Sequence, residues 1–302
     1  MDLSTENNPL ITSVKKGKFI IPALLAPVVC YILITIGGYC QEYFDIFMTR
    51  LNIKILDWWN IVDLFGVGFT TILFFVWVAF VEKRSPMTMG FFPIRHRAKE
   101  FLKGLVIGAV LFTFTLVILM FLNIVHFDHF QINGTTLFSC FLVALGYVIQ
   151  GSAEEIYVRG WLLPVVTAKT NVYIGLAVSS LFFGVIHLGN DGADTLSTLS
   201  TVLFALLAGI YAIKKGNIWG VCGIHIAWNF VEGNIYGLSV SGFTSESSLT
   251  YFKTSGPLWL SGGEYGIEGS LVTVIVYILV ILYFLFFIKQ DLDNSSQIQE
   301  KN

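Results

Sequence analysis

Residues 151–159 read GSAEEIYVR and place Glu154, Glu155 and Arg159 inside a segment that is otherwise apolar enough to cross a membrane. Ionisable side chains in a membrane-spanning segment cost free energy and usually carry function. The stretch therefore predicts both a membrane fold and a polar site buried within it.

The composition of the whole chain indicates the same class of protein. Hydrophobic residues make up 55% of the 302 residues and charged residues only 13%, and the mean hydropathy is +0.74. Soluble domains carry about 25% charged residues, so we expect a polytopic membrane protein. The net charge of -2 offers no clustered basic surface, and we expect no nucleic-acid partner.

Four cysteines lie in or beside apolar segments, without a C-x-x-C pair or the spacing of a zinc site: Cys30, Cys40, Cys140 and Cys222. We expect them to pack as small apolar side chains. The first apolar run is too long for a signal peptide and lacks a small-residue cleavage pattern, so we expect it to remain as a membrane anchor.

Apolar runs alternate with polar turns along the chain and predict an all-α, polytopic membrane bundle of about eight transmembrane helices. The expected helices cover residues 19–40, 61–81, 102–125, 135–168, 172–188, 194–213, 218–235 and 270–288. We expect a single membrane domain over residues 19–288, with tails at 1–18 and 289–302 and the motifs described below within 82–234.

The distribution of basic residues predicts the orientation, because Lys and Arg in short loops favour the cytoplasmic side. With the N-terminus inside, the inner segments hold fourteen basic residues: Lys15, Lys16, Lys18, Lys83, Arg84, Arg95, Arg97, Lys99, Lys103, Lys169, Lys214, Lys215, Lys289 and Lys301. The outer segments hold three: Arg50, Lys54 and Lys253. We therefore expect a multi-pass protein of the cell membrane with both termini in the cytoplasm.

The spacing of the buried polar residues predicts that they meet. Glu154 and His187 each lie roughly sixteen residues from a turn near Thr170, so an antiparallel hairpin places both about 25 Å from that turn. His225 and Asn229 follow the preceding turn by about 12 to 18 Å of helix. All four residues are therefore expected in one layer of the bundle.

Helical spacing separates the roles of the charged groups. Glu155 and Arg159 are four residues apart and share a helix face, where they can pair; for this pair we favour a structural role. Glu154 points about 100° away from that face. An unpaired, desolvated glutamate suits a general base.

One glutamate, two histidines and an amide suit hydrolysis, in which a carboxylate takes a proton from water while imidazole and amide hold the water or the developing oxyanion. Two histidines and a carboxylate are also a common zinc set with an open position for water. Spacing does not decide between these cases. A Zn²⁺ or another divalent ion on Glu154, His187 and His225 is therefore an alternative to water held by hydrogen bonds alone.

Other polar and aromatic residues receive no catalytic role. We expect Glu232, at one end of the seventh helix, and Asp63, near the start of the second, to be solvated at the membrane interface. Trp161 and Trp219 are expected as interfacial anchors. The remaining histidines fall in expected loops: His96, His126 and His129.

Three short motifs lie on successive expected helices: EExxxR at Glu154, Glu155 and Arg159, FxxxH at Phe183 and His187, and HxxxN at His225 and Asn229. This set resembles the CPBP family of intramembrane proteases, which comprises CAAX proteases and bacteriocin-processing enzymes and is also called the Abi family. The resemblance covers residues 82–234, and no motif position departs from the family pattern.

The resemblance implies an intramembrane endopeptidase acting on membrane-associated or lipidated peptides and proteins, with the lipid bilayer and that substrate as its partners. It implies these roles: Glu154 activates the water, His187 and His225 position the water or a metal, Asn229 stabilises the oxyanion, and Glu155 and Arg159 support the site. Eukaryotic relatives trim prenylated CAAX proteins, whereas bacterial relatives are linked to bacteriocin maturation, self-immunity and peptide signalling. The short loops look more like a bacterial member.

Two other classes of function are compatible with parts of the sequence. A non-proteolytic bacteriocin self-immunity or scaffold protein could share the fold, although the intact motifs argue against it. A proton-coupled transporter would also bury carboxylates and histidines. Transporters commonly show two related halves, and the sequence has no such repeat, so this function is less favoured.

Overall fold

The computed structural model describes residue 3, residues 5–91 and residues 97–288. The expected C-terminal tail 289–302 and the expected loop position of His96 lie outside the described residues. Part of the expected N-terminal tail, Pro9–Lys15, is helical.

The described residues form twelve α-helices and one small sheet. The helices are α1 (Pro9–Lys15), α2 (Ala26–Arg50), α3 (Trp58–Gly66), α4 (Gly68–Phe80), α5 (Arg97–Phe121), α6 (Gly134–Glu155), α7 (Leu163–Lys169), α8 (Val172–Ile186), α9 (Thr195–Lys215), α10 (Trp219–Phe230), α11 (Leu258–Ser261) and α12 (Leu271–Phe287). Two π-helical segments, Ile156–Leu162 and Val231–Ile235, continue α6 and α10. The strands are β1 (Val125–Phe130) and β2 (Thr250–Thr254).

The all-α membrane bundle predicted from the sequence is confirmed, since each of the eight apolar runs is largely helical. By length and composition, four helical stretches of the described chain could cross a membrane: Trp58–Phe80, Arg97–Phe121, Gly134–Lys169 and Thr195–Lys215. Helices α8 and α12 are shorter and also apolar. The first expected helix differs most, because it begins at Ala26 and continues to Arg50.

Helices α5 and α10 cross with their backbones in direct contact. Gly104 and Gly108 lie one turn apart on α5, and a Cβ atom added at either would overlap a carbonyl group of α10, that of Gly220 or that of Ile224. Small residues at such crossings allow close van der Waals packing between membrane helices. The crossing fixes α10, and with it the neighbouring His225, against α5.

The hairpin expected around Thr170 is present. Helix α7 ends at Lys169, and Asn171 caps α8 by accepting hydrogen bonds from the backbone N–H groups of Tyr173 and Ile174, each over 3.0 Å. Such a cap satisfies N–H groups that have no partner within the helix. Helix α8 therefore packs back along α7, which returns the chain toward the end of α6.

The expected loop after residue 125 contains a strand. β1 pairs antiparallel with β2, and the aromatic rings of Phe127 and Phe252 lie 5.5 Å apart across the pair. Residues 237–269, which contain β2, fold over the end of the bundle where α8 ends. We call this end of the bundle the loop end. Residues 237–269 cover it and bury side chains that the sequence analysis expects at the membrane interface.

Trp161 is one group for which the sequence-based expectation is wrong. Instead of anchoring the protein at an interface, it is fully buried and donates a hydrogen bond from Nε1 to the carboxylate of Glu82, over 2.5 Å. Glu82 also accepts from Nε of Arg84 over 2.6 Å. A buried indole N–H needs such an acceptor, and Glu82 supplies it. Trp219 is half-buried and donates to the backbone oxygen of Phe91.

Candidate active site

The structure brings Glu154, His187 and His225 together from three helical segments. Oε2 of Glu154, in the last turn of α6, lies 3.9 Å from Nε2 of His187, which ends α8. The same oxygen lies 3.7 Å from Nε2 of His225 on α10. Oε2 is buried and has no hydrogen-bond partner. Two ring nitrogens thus converge on one unsatisfied carboxylate oxygen.

The orientation of His187 follows from a backbone contact. Its Nδ1 lies 2.7 Å from the carbonyl oxygen of Phe183, one turn earlier on α8. Because a carbonyl can only accept, Nδ1 carries the proton, and Nε2 of the neutral ring is left as an acceptor. A water between His187 and Glu154 can therefore donate one hydrogen to each.

The orientation of His225 follows from Glu155. Nδ1 of His225 lies 2.9 Å from Oε1 of Glu155, and the same oxygen accepts from Nη1 of Arg159 over 3.0 Å. The guanidinium in turn stacks on the ring of Phe183, 4.5 Å from its centre. All of these side chains are buried. Glu155 and Arg159 do pair as expected, and Glu155 also fixes the ring that faces Glu154.

Gln150 is a site residue that the sequence-based reasoning missed. It lies one turn before Glu154 on α6 and donates from Nε2 to Oε1 of Glu154, over 2.8 Å. Its own Oε1 accepts from Nδ2 of Asn229 over 3.3 Å. The four-residue spacing to Glu154 was the available signal. Gln150 connects the glutamate to the asparagine on α10.

A π-helical segment follows each of the two helices that supply the inner site residues. Residues Ile156–Leu162 continue α6 directly after Glu155, and Val231–Ile235 continue α10 shortly after Asn229. π-Helical turns are rare and often occur at functional sites. The first segment contains Arg159 of the EExxxR motif, and the second begins two residues after Asn229 of the HxxxN motif.

A cavity of about 280 Å³ contains this cluster. Its polar wall includes Glu154, His187, His225, Asn229 and Gln150. Apolar side chains such as Ile34, Leu64 and Val67 complete it. The site is therefore partly enclosed, with a side chain exposure of 13% for Glu154.

A pair of buried carboxyl groups, Glu232 and Glu268, lies near the two histidines. Glu232 is fully buried, which corrects the expectation that it is solvated at an interface. Nε1 of Trp228 lies 3.1 Å from Glu232 and 3.2 Å from Glu268, and Oγ of Ser241 donates to Glu268 over 2.5 Å. The segment that covers the loop end provides Ser241 and Glu268, and this cover excludes water from Glu232.

A cavity of about 30 Å³ lies between Glu268 and the histidines of the candidate active site. Its lining includes His187, Asn229, Ser241 and Glu268, which is enough volume and enough polar groups for one water. Burial raises the pKa of Glu268, and hydrogen bonds from Ser241 lower it in part. No local sequence pattern links Glu268 to the motifs, because long-range folding of the loop end brings it there.

The donor atoms around Glu154 have the chemistry of a zinc site but not its spacing. Ligand distances of about 2.0–2.2 Å place neighbouring donors of a tetrahedral zinc site about 3.3 Å apart, whereas the contacts here span 3.7 and 3.9 Å. Among the described residues, no group of three His, Cys, Asp or Glu side chains is placed to hold a metal ion. The residues as they stand do not fit a metal, and no step of the reaction is assigned to one.

Comparison with known families agrees with the motifs. A family model described as "Type II CAAX prenyl endopeptidase Rce1-like" matches residues 134–231, which run from α6 to the start of the second π-helical segment and contain all three motifs. No curated protein and no solved structure matches the chain. The segment from α6 to α10, which carries all three motifs, is therefore similar to the CAAX protease family.

Proposed function

We propose that the protein is an intramembrane endopeptidase that hydrolyses peptide bonds of membrane-associated or lipidated peptides and proteins with a water activated by Glu154. One observation carries the proposal: Nε2 of His187 and Nε2 of His225 both face the unpartnered Oε2 of Glu154 inside a partly enclosed cavity. Glu154 and Nε2 of His187 are two acceptors for an attacking water, which must be held and lose a proton, and Nε2 of His225 faces the same oxygen as a donor.

The reaction follows from these positions. The water donates one hydrogen bond to Glu154 and one to Nε2 of His187, and its oxygen attacks the carbonyl carbon as Glu154 takes the proton. The carbonyl oxygen becomes an oxyanion, for which Nδ2 of Asn229 and the protonated Nε2 of His225 are the available donors. Glu154 then returns the proton to the leaving nitrogen as the C–N bond breaks. Glu155 balances the charge on His225 throughout.

The substrate class is an inference from the family and from the cavity. The family match supports a CAAX-type endopeptidase, and processing of bacteriocin or signal peptides is the other assignment that the family allows. The short connections between helices favour a bacterial type of enzyme. The charge bias supports a location in the cell membrane with both termini in the cytoplasm, which would place the loop end on the outer face.

The test is cleavage of a library of membrane-tethered peptides by the purified protein in neutral lipid nanodiscs, with products read by mass spectrometry. Wild type is compared with Glu154→Gln, which keeps the size and the acceptor for Gln150 but cannot take a proton. Removal of a general base lowers rates by about 10²–10⁴-fold. The control is Glu42→Gln, which makes the same change at an exposed position of α2.

We expect wild type and Glu42→Gln to cleave the same peptides and Glu154→Gln to cleave them at least about a hundredfold more slowly. Equal cleavage by Glu154→Gln would refute the role of the glutamate. Absence of cleavage by wild type across the library, together with proton flux in liposomes, would favour the transporter.

A further inference from the structure

A second and larger cavity adjoins the catalytic cavity at the loop end. It measures about 890 Å³ and shares Asn60, Asp63 and Phe243 with the catalytic cavity. We call it the acidic vestibule, because its wall also carries Asp45, Asp57 and Glu246. A peptide whose scissile bond lies beside Glu154 would place neighbouring residues in this vestibule, since the two spaces share a wall.

The negative charge of the vestibule is not balanced within the described chain. Lys54 is the single basic residue among the described residues that line it. Within the described ranges, no ion pair involves any of its four carboxylates. The vestibule is therefore complementary to a positive charge that the protein itself does not supply.

Two of the four carboxylates have neutral partners that fix them. Asp57 accepts hydrogen bonds from the hydroxyl groups of Ser245 and Ser247, over 2.5 and 2.9 Å. Asp63 accepts from Nε2 of Gln41 over 2.6 Å. These contacts hold the carboxylates in place without neutralising their charge.

Asp45 is the residue that points to a ligand. Its side chain lines the vestibule and is only 9% exposed, and its Oδ1 is buried without any hydrogen-bond partner. A buried carboxylate oxygen without a partner is destabilising, so an arriving donor would gain a strong interaction there. Nε1 of Trp58, in the same wall, is likewise buried without a partner.

The shape and the walls favour an organic cation. The space is far larger than a single ion needs, and among the described residues no group of three metal-type ligands is placed to hold one. Aromatic side chains line it beside the carboxylates: Trp58, Trp59 and Phe243. Lysine and arginine bury their aliphatic stems on apolar walls while the charged end reaches acceptors, and a cation over an aromatic face is attracted to it.

We propose that the acidic vestibule is a specificity subsite that binds a lysine or arginine side chain of the peptide substrate, with Asp45 and Asp63 as its recognition residues. This inference rests on the proposed peptidase function, because it assigns the substrate class of the same site. It predicts preferred cleavage of peptides that carry a basic residue at one fixed distance from the scissile bond.

The test uses tethered peptides that differ at one position only. Each has an acetylated N-terminus, so that a free amine cannot act as the cation, and carries Lys, Gln or Glu at a position scanned on both sides of the cleavage site. Binding is measured by fluorescence anisotropy to the Glu154→Gln protein in nanodiscs of neutral phosphatidylcholine, and kcat/KM is measured with wild type. Binding to the Glu154→Gln protein needs no turnover. The binding assay therefore tests the subsite and the cleavage assay tests the peptidase function, so either proposal can be refuted without the other.

We expect the Lys peptide to bind and react about tenfold better than the Gln peptide at one position, since a hydrogen bond to a charged partner carries that order of discrimination. Asp45→Asn should remove most of this preference, whereas Glu42→Gln, at an exposed position of the same helix, should keep it. The preference of the wild-type protein for the Lys peptide should also weaken at high salt, and this measurement needs no variant.

Equal binding of the Lys, Gln and Glu peptides at every position would overturn the subsite. The subsite would also be overturned if the Asp45→Asn variant bound the peptides as wild type does and the Asp63→Asn variant kept the full preference for the Lys peptide. Both variants are checked for a monodisperse elution profile, and the salt dependence of wild type decides the matter if either fails to fold.

Discussion

Oε1 of Glu155 lies 2.9 Å from Nδ1 of His225 and joins two motifs that are 70 residues apart in the sequence. Because Nδ1 donates to this carboxylate, the opposite nitrogen of the ring is turned toward Glu154. Such outer contacts commonly set the orientation and tautomer of a functional histidine. Glu155 is therefore both the partner of Arg159 and the residue that positions His225.

Replacement of Glu155 by glutamine tests this double role. The variant leaves the Arg159 guanidinium buried without an opposite charge, and loss of one member of a buried ion pair costs about 3–5 kcal/mol. We expect a clearly lower free energy of unfolding, measured by chemical denaturation in nanodiscs, and a loss of cleavage activity.

The double variant Glu155→Gln/Arg159→Met separates the two roles. It removes both charges and should recover much of the stability, but the activity should stay low because His225 lacks its carboxylate partner. If the double variant recovers activity together with stability, Glu155 is only a structural partner of Arg159.

Local sequence patterns predict the parts of the site that depend on helix geometry. The four-residue spacings of Glu155 with Arg159 and the hairpin at Thr170 both follow from the helical repeat and from a polar turn. The GLVIG stretch at Gly104–Gly108 also carries the signal of a close helix crossing, although the sequence-based reasoning did not use it. These features depend only on the sequence of one or two neighbouring helices.

Other parts of the structure depend on segments, distant in the sequence, that fold over them. Glu232 is polar and near a helix end, and the segment 237–269, whose Gly266 packs against its carboxylate, helps to exclude water from it. Trp161 has the amphipathic side chain of an interfacial anchor, but the carboxylate of Glu82, 79 residues earlier in the sequence, satisfies its N–H inside the bundle. The sequence alone does not reveal such distant partners, because nothing in the local pattern depends on them.

Gln150 should matter for turnover rather than for binding. It holds Oε1 of Glu154 over 2.8 Å and Nδ2 of Asn229 over 3.3 Å, so it fixes the relative positions of the base and an oxyanion donor. Small misplacements of such groups can cost up to about a hundredfold in rate. For Gln150→Leu we expect a kcat at least about tenfold lower with a nearly unchanged KM, from initial rates on one cleaved peptide. A raised KM with normal kcat would instead assign Gln150 to substrate binding.

Glu268 should make the stability of the protein depend on pH. Burial raises its pKa in the fold, so the folded protein binds the proton more tightly than the unfolded chain does. The stability it contributes is full below the unfolded pKa of about 4.3 and is lost as pH rises through the higher folded pKa.

Melting temperatures of wild type should therefore fall as pH is raised from about 4.5 to about 8. Glu268→Gln, which mimics the neutral form, should show a smaller fall over the same range. An equal fall in both proteins would mean that folding does not raise the pKa of Glu268.

Chelation of divalent metals should leave cleavage unchanged. The donors around Glu154 are farther apart than zinc ligands are, and the reaction proposed here uses only protein groups and water. We expect wild type to retain its kcat/KM after dialysis against a strong chelator, with a known zinc peptidase in parallel as the sensitive control. Loss of activity that returns on addition of Zn²⁺ would instead assign a metal to Glu154, His187 and His225.

The crossing of α5 and α10 should control activity from outside the cavity. A Cβ atom at Gly108 would overlap the carbonyl group of Ile224, the residue before His225, so Gly108→Ala must push α10 away from α5. Overpacking of this kind costs about 1–3 kcal/mol, and the displacement moves His225 relative to Glu154.

Gly38→Ala is the matched control, because a Cβ there meets nothing within 4 Å and alanine favours a helix by about 1 kcal/mol. We expect Gly108→Ala to lower both the melting temperature and kcat, and Gly38→Ala to lower neither. A Gly108→Ala protein with normal kcat would show that the position of His225 does not depend on this crossing.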